Sequence, residues 1–373
     1  MKSKITSFIM AVISILIVVI LVLLGIIVYN EFTNSDVVGD VQDFVSNIIV
    51  YGDGVNENIK APEKIVETTV DESQPSDGKI NYDSQKNDKY YYNQLDEYSK
   101  KIYNAMDSNK EKMKSGTYEI NLGTQFSDLL SKSNGEKLIG EYYQSAIEAY
   151  SYDNPDVFYI EFEKLYLNIE TTTRGSKKTY KVVISAGDKL NYLRDDFSSE
   201  EEVKSAISEI EKIQAYFVKN KKESTYENIK LVHDYLIETI DYEETLSESN
   251  IYNIYGALIN KRSVCEGYAK AFKYLMDSID IPCVLVAGKG TNSQGNTESH
   301  AWNYVQLEEN WYAVDCTWDD PIIIGGGKLN NSSKYKYFLK GEKEFNETHF
   351  PNGQFTENGK IFEYPKLSIN NYR

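Results

Sequence analysis

Three side chains that lie far apart in this chain must converge for the sequence to make chemical sense. Cys265 sits in Ser263-Val264-Cys265-Glu266-Gly267-Tyr268-Ala269, and His300 in Ser299-His300-Ala301-Trp302-Asn303. Asp315 sits in Trp311-Tyr312-Ala313-Val314-Asp315-Cys316-Thr317-Trp318. A thiol, an imidazole and a carboxylate are the parts of a cysteine nucleophile, its base and the group that orients the base. Bringing them together constrains the fold, because each motif carries its own secondary-structure signature.

The first signature is helical. Ser263 and Glu266 form a capping pattern, and Ala269, Phe272, Leu275, Met276 and Ile279 follow at helical spacing until Pro282. Cys265 is therefore expected in the first turn of a buried helix, where orphan N–H groups and the positive dipole end favour a thiolate. The second and third signatures are strands. His300, Trp302 and Tyr304 alternate with Val305 and Leu307, Glu308-Glu309-Asn310 makes a turn, and Trp311 to Cys316 returns. A two-residue turn at Glu309-Asn310 would set Tyr304, not His300, opposite Asp315. A bulge, a shifted register or strong twist is expected to make up the difference.

These three motifs resemble those of the transglutaminase-like superfamily of cysteine enzymes, which has a papain-like core. The resemblance covers roughly residues 224 to 340, given ordinary boundary error. It implies an α+β fold with the catalytic helix packed on an antiparallel sheet. It also implies that Cys265 is the nucleophile, His300 the general base and Asp315 the residue that orients His300. The expected chemistry is acyl transfer at an amide carbonyl, with the acyl-enzyme resolved by water or by a second amine. The Cys265 backbone N–H is one candidate oxyanion donor, and a second donor is not named by the sequence. Trp302 shares a face with His300 and is a candidate wall of the substrate channel. The superfamily also contains peptidases, peptide:N-glycanases, cytokinesis-associated proteins and inactive members. A turnover-free binding or scaffolding module, linked to cell division or envelope organisation, is therefore the alternative.

Residues 8–29 form an uncharged, almost wholly apolar run. As a helix this run would be roughly 33 Å long, close to the bilayer hydrocarbon thickness. Lys2 and Lys4 precede it, and no Lys or Arg follows until Lys60. The positive-inside rule then predicts a single-pass anchor in the cell membrane with a cytoplasmic N-terminus and an extracytoplasmic remainder. A cleaved signal peptide would have a shorter apolar region, usually about 7–15 residues. Residues 30–89 read as a juxtamembrane segment followed by a flexible acidic linker.

The section 90–222 reads as helix-rich α+β. It has helices around Leu95–Met106 and Leu138–Tyr150 and a third capped by Ser199. Strands are expected at Val157–Ile160, Leu165–Thr171 and Tyr180–Ser185. It carries no motif that translates into chemistry. The section 224–373 holds the three motifs, a helix capped by Ser224, a second helix at Asn250–Ile259, a buried strand Val284–Ala287 and a strand at Tyr335–Leu339.

The formal charge of −17 and the lack of basic clusters argue against nucleic acid as a partner. Protein or peptide amides at the cell surface are the expected substrates, and the membrane is the other expected partner. Only three cysteines are present, so the chain is not a disulfide scaffold. No C-x-x-C or H-x-x-x-H pair exists, so neither a metal nor any cofactor is predicted. Cys283 and Cys316 read as core residues, His233 and His349 as structural histidines, and Asp319-Asp320 as a solvated turn.

Overall fold

Asp96 sets the first helix by accepting hydrogen bonds from the Tyr98 and Ser99 N–H groups. This helix, α1 (Glu97–Met113), buries Ile102, Tyr103, Met106 and Met113 along one face. The computed structural model describes residues 89–320 and 331–373, apart from positions 175, 188, 244, 247, 248, 294, 352–355 and 357. The apolar run 8–29, most of the segment 30–89 and the glycine run 325–327 lie outside the described residues. Among the described residues no helix is long and apolar enough to cross a membrane.

After α1 come the short strand β1 (Ile120–Gly123), α2 (Ser127–Leu130) and the long α3 (Gly135–Asp153). The strands expected at Leu165–Thr171 and Tyr180–Ser185 form and pair as β2 (Tyr166–Arg174) and β3 (Lys177–Ser185), and the sheet order is β1-β3-β2. Val157–Ile160 is not the expected strand. It is a 3-10 turn at Pro155–Val157 running into a second turn, and only Ile160 pairs, with Leu193. All four of its side chains are buried. A short continuous apolar run reports burial without fixing the backbone, and Pro155 had already turned the chain. Helix α4 (Glu200–Lys219) opens on Ser199, whose side chain accepts from the Glu202 N–H.

Helix α5 (Thr225–Thr239) opens on the Ser224 cap. The two-residue strands β4 (Asp241–Tyr242) and β5 (Arg262–Ser263) then pair in parallel and fix the approach to Cys265. The helix expected at Asn250–Ile259 divides into a 3-10 turn (Ser249–Tyr252) and a π turn (Gly256–Asn260). Gly256 explains the interruption: a Cβ there would meet the Asn250 carbonyl oxygen at 2.2 Å. The thiol-bearing helix α6 (Cys265–Ser278) follows.

The four-stranded sheet contains β6 (Cys283–Thr291), β7 (Thr297–Leu307) and β8 (Asn310–Val314). The chain continues through the single turns α7 (Cys316–Asp319), α8 (Asn331–Lys334) and α9 (Glu342–Phe345) to β9 (His349–Phe350). The sheet order is β8-β7-β6-β9, all antiparallel. The strand expected at Tyr335–Leu339 is turn structure after α8, and pairing is limited to a bridge between Lys340 and Ala313.

Helix α6 lies against β6 and β7. Phe272, Leu275 and Met276 are fully buried there, as are Val284, Leu285, Val286 and Val305. Each such side chain contributes about 1.5–3 kcal/mol when removed from water. The Asn303 side-chain amide donates to the Ala269 carbonyl at 3.0 Å and ties β7 to the helix. The apolar core runs without a break from Tyr90 to Leu367, so the sections 90–222 and 224–373 share it. The Tyr91 hydroxyl, for example, donates to the Leu285 carbonyl of β6.

Candidate active site

Cys265 is the first residue of α6. Ser263 does not cap this helix as the sequence pattern suggested. Val264 is the N-cap and offers no side-chain bond, while the Ser263 hydroxyl donates to the Ile251 carbonyl at 2.8 Å. The helix therefore begins with no side-chain acceptor over its first N–H groups, next to the thiol. The motif's glycine has a steric reason. A Cβ on Gly267 would lie 2.0 Å from Ser263 Oγ and 2.6 Å from the Ile251 carbonyl oxygen, so only glycine lets the loop press against the first turn.

Cys265 is half-buried, whereas Cys283 and Cys316 are buried. Burial pushes the thiols of Cys283 and Cys316 well above the usual range, as expected of core cysteines. Iodoacetamide is therefore expected to alkylate Cys265 well before the other two in the folded protein. Peptide mapping by mass spectrometry reads this, and equal slow labelling of all three would refute it.

His300 lies on β7, and the observed register resolves the offset noted in the sequence. The turn is Glu308-Glu309, with Leu307 opposite Asn310 and Glu308 in the left-handed region at φ 58°. That register shifts the strand partners by two, so Asp315 follows the last paired residue, Val314, which faces Asn303. Asp315 then leaves the strand to become the N-cap of α7. From there its carboxylate reaches back to His300, with Nε2 to Oδ2 at 2.7 Å.

The Asp315 carboxylate is saturated. Oδ1 accepts from the N–H groups of Thr317 at 3.0 Å and Trp318 at 3.2 Å. Oδ2 accepts from His300 and also lies 3.1 Å from Nε2 of His349. Burial alone would raise this carboxyl, but the two histidines and their hydrogen bonds hold it well below the usual carboxylate range. For His300, burial opposes the charged ring, yet Asp315 first and then Cys265 outweigh it, and the pKa is pushed up to about 10. With Nε2 engaged by Asp315, Nδ1 is the ring nitrogen left for Cys265, which is near enough to help raise the ring. The arrangement can hold an imidazolium between a carboxylate and a sulfur at neutral pH.

Aromatic walls fix the imidazole. Trp318 stacks on it at 4.7 Å and 21°, and two glycines of β6 make room. A Cβ on Gly290 would lie 2.8 Å from the Trp318 ring, and one on Gly288 would lie 2.7 Å from Trp302. Trp302 is 1% exposed and packs against His300, His349 and Phe345. It backs the site from the core instead of lining a channel, because β7 carries it inward on the face shared with His300.

The sequence missed two features. His349, read as a structural histidine, lies in β9, paired with Gly290, and joins the Asp315 cluster. Its only sequence signal is a histidine beside Phe350, which is too common to interpret. Asp319 and Asp320 are not a solvated turn. Asp319 is fully buried, bonded to His233 Nε2 at 3.1 Å and to the Tyr337 N–H at 2.8 Å. Asp320 accepts from the Tyr268 hydroxyl at 2.6 Å. Among the described residues, His300, Asp315 and His349 also form a group able to offer three metal-ligand atoms, all within 4.8 Å of one another.

The structure thus sets a thiol at a helix start, an imidazole on a neighbouring strand and a carboxylate just past the next strand. Residues 211–316 match the family model of the transglutaminase-like superfamily. It is similar to the kyphoscoliosis peptidase of Mus musculus, with 27% identity over 192 residues, which is 48% of this chain and 28% of that protein. The Homo sapiens kyphoscoliosis peptidase is 26% identical over the same length. The chain thus matches little more than a quarter of the length of these relatives. Among solved structures, a crystal structure of a TGase aligns at 14% identity over 48% of this chain and 50% of that one, with a TM-score of 0.29.

Proposed function

We propose that this protein is a cysteine acyl-transfer enzyme acting on protein or peptide amides, with Cys265 as nucleophile, His300 as acid–base and Asp315 as the orienting carboxylate. The observation that carries this is the bond from His300 Nε2 to a buried Asp315 carboxylate at 2.7 Å, with the half-buried Cys265 opening α6 close enough to the same ring to help raise it. Sγ attacks the amide carbon, the C–S bond forms and the carbonyl oxygen takes the charge. The Cys265 backbone N–H is one donor to that oxygen. Tyr242, which pairs with Ser263 two residues before the thiol and is kept protonated first by burial, is placed to be the second.

Collapse of the intermediate breaks the C–N bond, and the His300 imidazolium gives its proton to the departing amine. The neutral ring then takes a proton from water or from a second amine as that group attacks the thioester. The peptidase name of the mouse relative favours water as acceptor. The apolar run 8–29 with Lys2 and Lys4 before it supports tethering in the cell membrane, the catalytic part facing outward toward surface proteins or cell-wall peptides.

The test is incubation with an amide-containing peptide library, with and without a primary amine, read by mass spectrometry. Cleaved or amine-exchanged products that vanish in Cys265→Ala are expected. A library left unchanged by a protein whose Cys265 alkylates no faster than its buried cysteines would overturn the proposal.

A further inference from the structure

His349 makes contacts that a space-filling core residue does not need. Its Nε2 lies 3.1 Å from Asp315 Oδ2, the oxygen that also receives His300 Nε2. Its Nδ1 lies 2.9 Å from the Thr348 hydroxyl. Its ring is fully buried, stacked on Phe345 at 3.8 Å and 18°, and flanked by Trp318 and Trp302. The pairing of β9 with Gly290 of β6 brings it there.

We infer that His349 is a positioning residue for the proposed triad: as a neutral Nε2–H tautomer it donates to Asp315 Oδ2 and pins that oxygen where His300 needs it. The reading rests on the triad assignment above.

The tautomer follows from the partners. An unprotonated Nε2 would set a lone pair against a carboxylate oxygen at 3.1 Å between two buried side chains. With the proton on Nε2, Nδ1 is the acceptor and the Thr348 hydroxyl is its donor. Burial first, with the neighbouring His300, outweighs the pull of Asp315 and the Phe345 carbonyl and holds the ring below the usual imidazole range. The carboxylate needs this pin because the α7 cap holds only Oδ1. With His349 in place both oxygens are fixed, and rotation of the carboxylate away from His300 is blocked. The three groups also have the composition of a metal site. However, both Nε2 atoms address one oxygen at hydrogen-bond distance, and that oxygen's carboxylate already accepts two backbone N–H groups.

The test needs no amide substrate. The chain has three histidines, so long-range ¹H–¹⁵N spectra of the full-length protein resolve each ring. His349 is expected as the neutral Nε2–H tautomer and His300 as an imidazolium at neutral pH. His349→Phe keeps a ring on Phe345 but removes the donor. It is expected to slow iodoacetamide alkylation of Cys265 roughly ten-fold or more, within the range for lost outer-shell partners. His349→Gln can place an amide N–H near the Nε2 position and should restore most of the rate. A doubly protonated or Nδ1–H His349 in the wild-type spectrum would overturn the inference. So would wild-type alkylation by His349→Phe, a Gln variant no better than Phe, or a bound metal whose chelation alters the His349 signals. Should no amide substrate emerge, these outcomes still stand, so the two readings fail separately.

Discussion

Cys265→Ala is expected to abolish amide turnover while leaving the fold and its thermal stability nearly unchanged. The side chain is half-buried at the first position of α6, so its loss opens little cavity. Alanine suits a helix, and no hydrogen bond that holds the helix passes through the sulfur. What disappears is the atom that forms the acyl bond in the proposed reaction. Neither Cys283 nor Cys316 can substitute, because each is buried and its thiol is pushed well up. Removing a nucleophile from a comparable serine triad costs on the order of 10⁶-fold in kcat. A loss of at least about 10⁴-fold is therefore expected here. Turnover of any amide found in the library screen, compared with a thermal melt by circular dichroism, decides it. Residual activity within ten-fold of wild type would remove Cys265 from the chemistry.

The motifs were legible in the sequence because each pairs a reactive side chain with a strong local signal. Phe272, Leu275 and Met276 mark the buried face of α6, and the alternation through Tyr304 and Leu307 marks β7. Pairwise details were less legible. The turn register between β7 and β8 depends on Glu308 adopting a left-handed backbone, which nothing about glutamate announces. Ser263 and Glu266 have the spacing of a capping box, yet tertiary packing won. The Ser263 hydroxyl serves the Ile251 carbonyl and Glu266 pairs with Lys270 at 2.5 Å. His349, read as structural, was not tied to Asp315, and Asp319 was misread as solvated, for one shared reason. Their partners, Asp315 and His233, are 34 and 86 residues away, and polarity in a turn-like sequence is read as solvation. A buried polar network is a tertiary object, visible only once the strands are laid side by side. Gly288 and Gly290 were the overlooked clue, since glycines inside a strand often mark a close approach, here of the rings of Trp302 and Trp318.

Asp315→Asn is expected to cost both activity and stability, because one carboxylate meets four donors. Asparagine keeps one acceptor and adds two donors. Asn is a good N-cap, so its oxygen should stay on the Thr317 and Trp318 N–H groups. The amide NH₂ then faces the two imidazole N–H groups, leaving buried donors unpaired at about 1–3 kcal/mol each. Breaking a buried pair by removing one partner commonly costs about 3–5 kcal/mol, so a destabilisation of about 3 kcal/mol is expected. Activity should fall by up to about 10⁴-fold, the effect of the same change in a serine triad, and by less than in Cys265→Ala.

The cost should depend on pH. His300 is raised from 6.5 to about 10, so its contribution is full below 6.5 and lost as pH rises through about 10. Asp315 is lowered from 3.8, so its contribution is present above 3.8 and lost as pH falls through its folded value. The stability gap between wild type and variant is therefore widest between these two ordinary values, in mild acid, and narrows toward pH of about 10. Urea melts in mild acid and in strong base measure that gap. A gap of equal size at both ends would mean that His300 is not held charged by Asp315, and the triad would lose its third member.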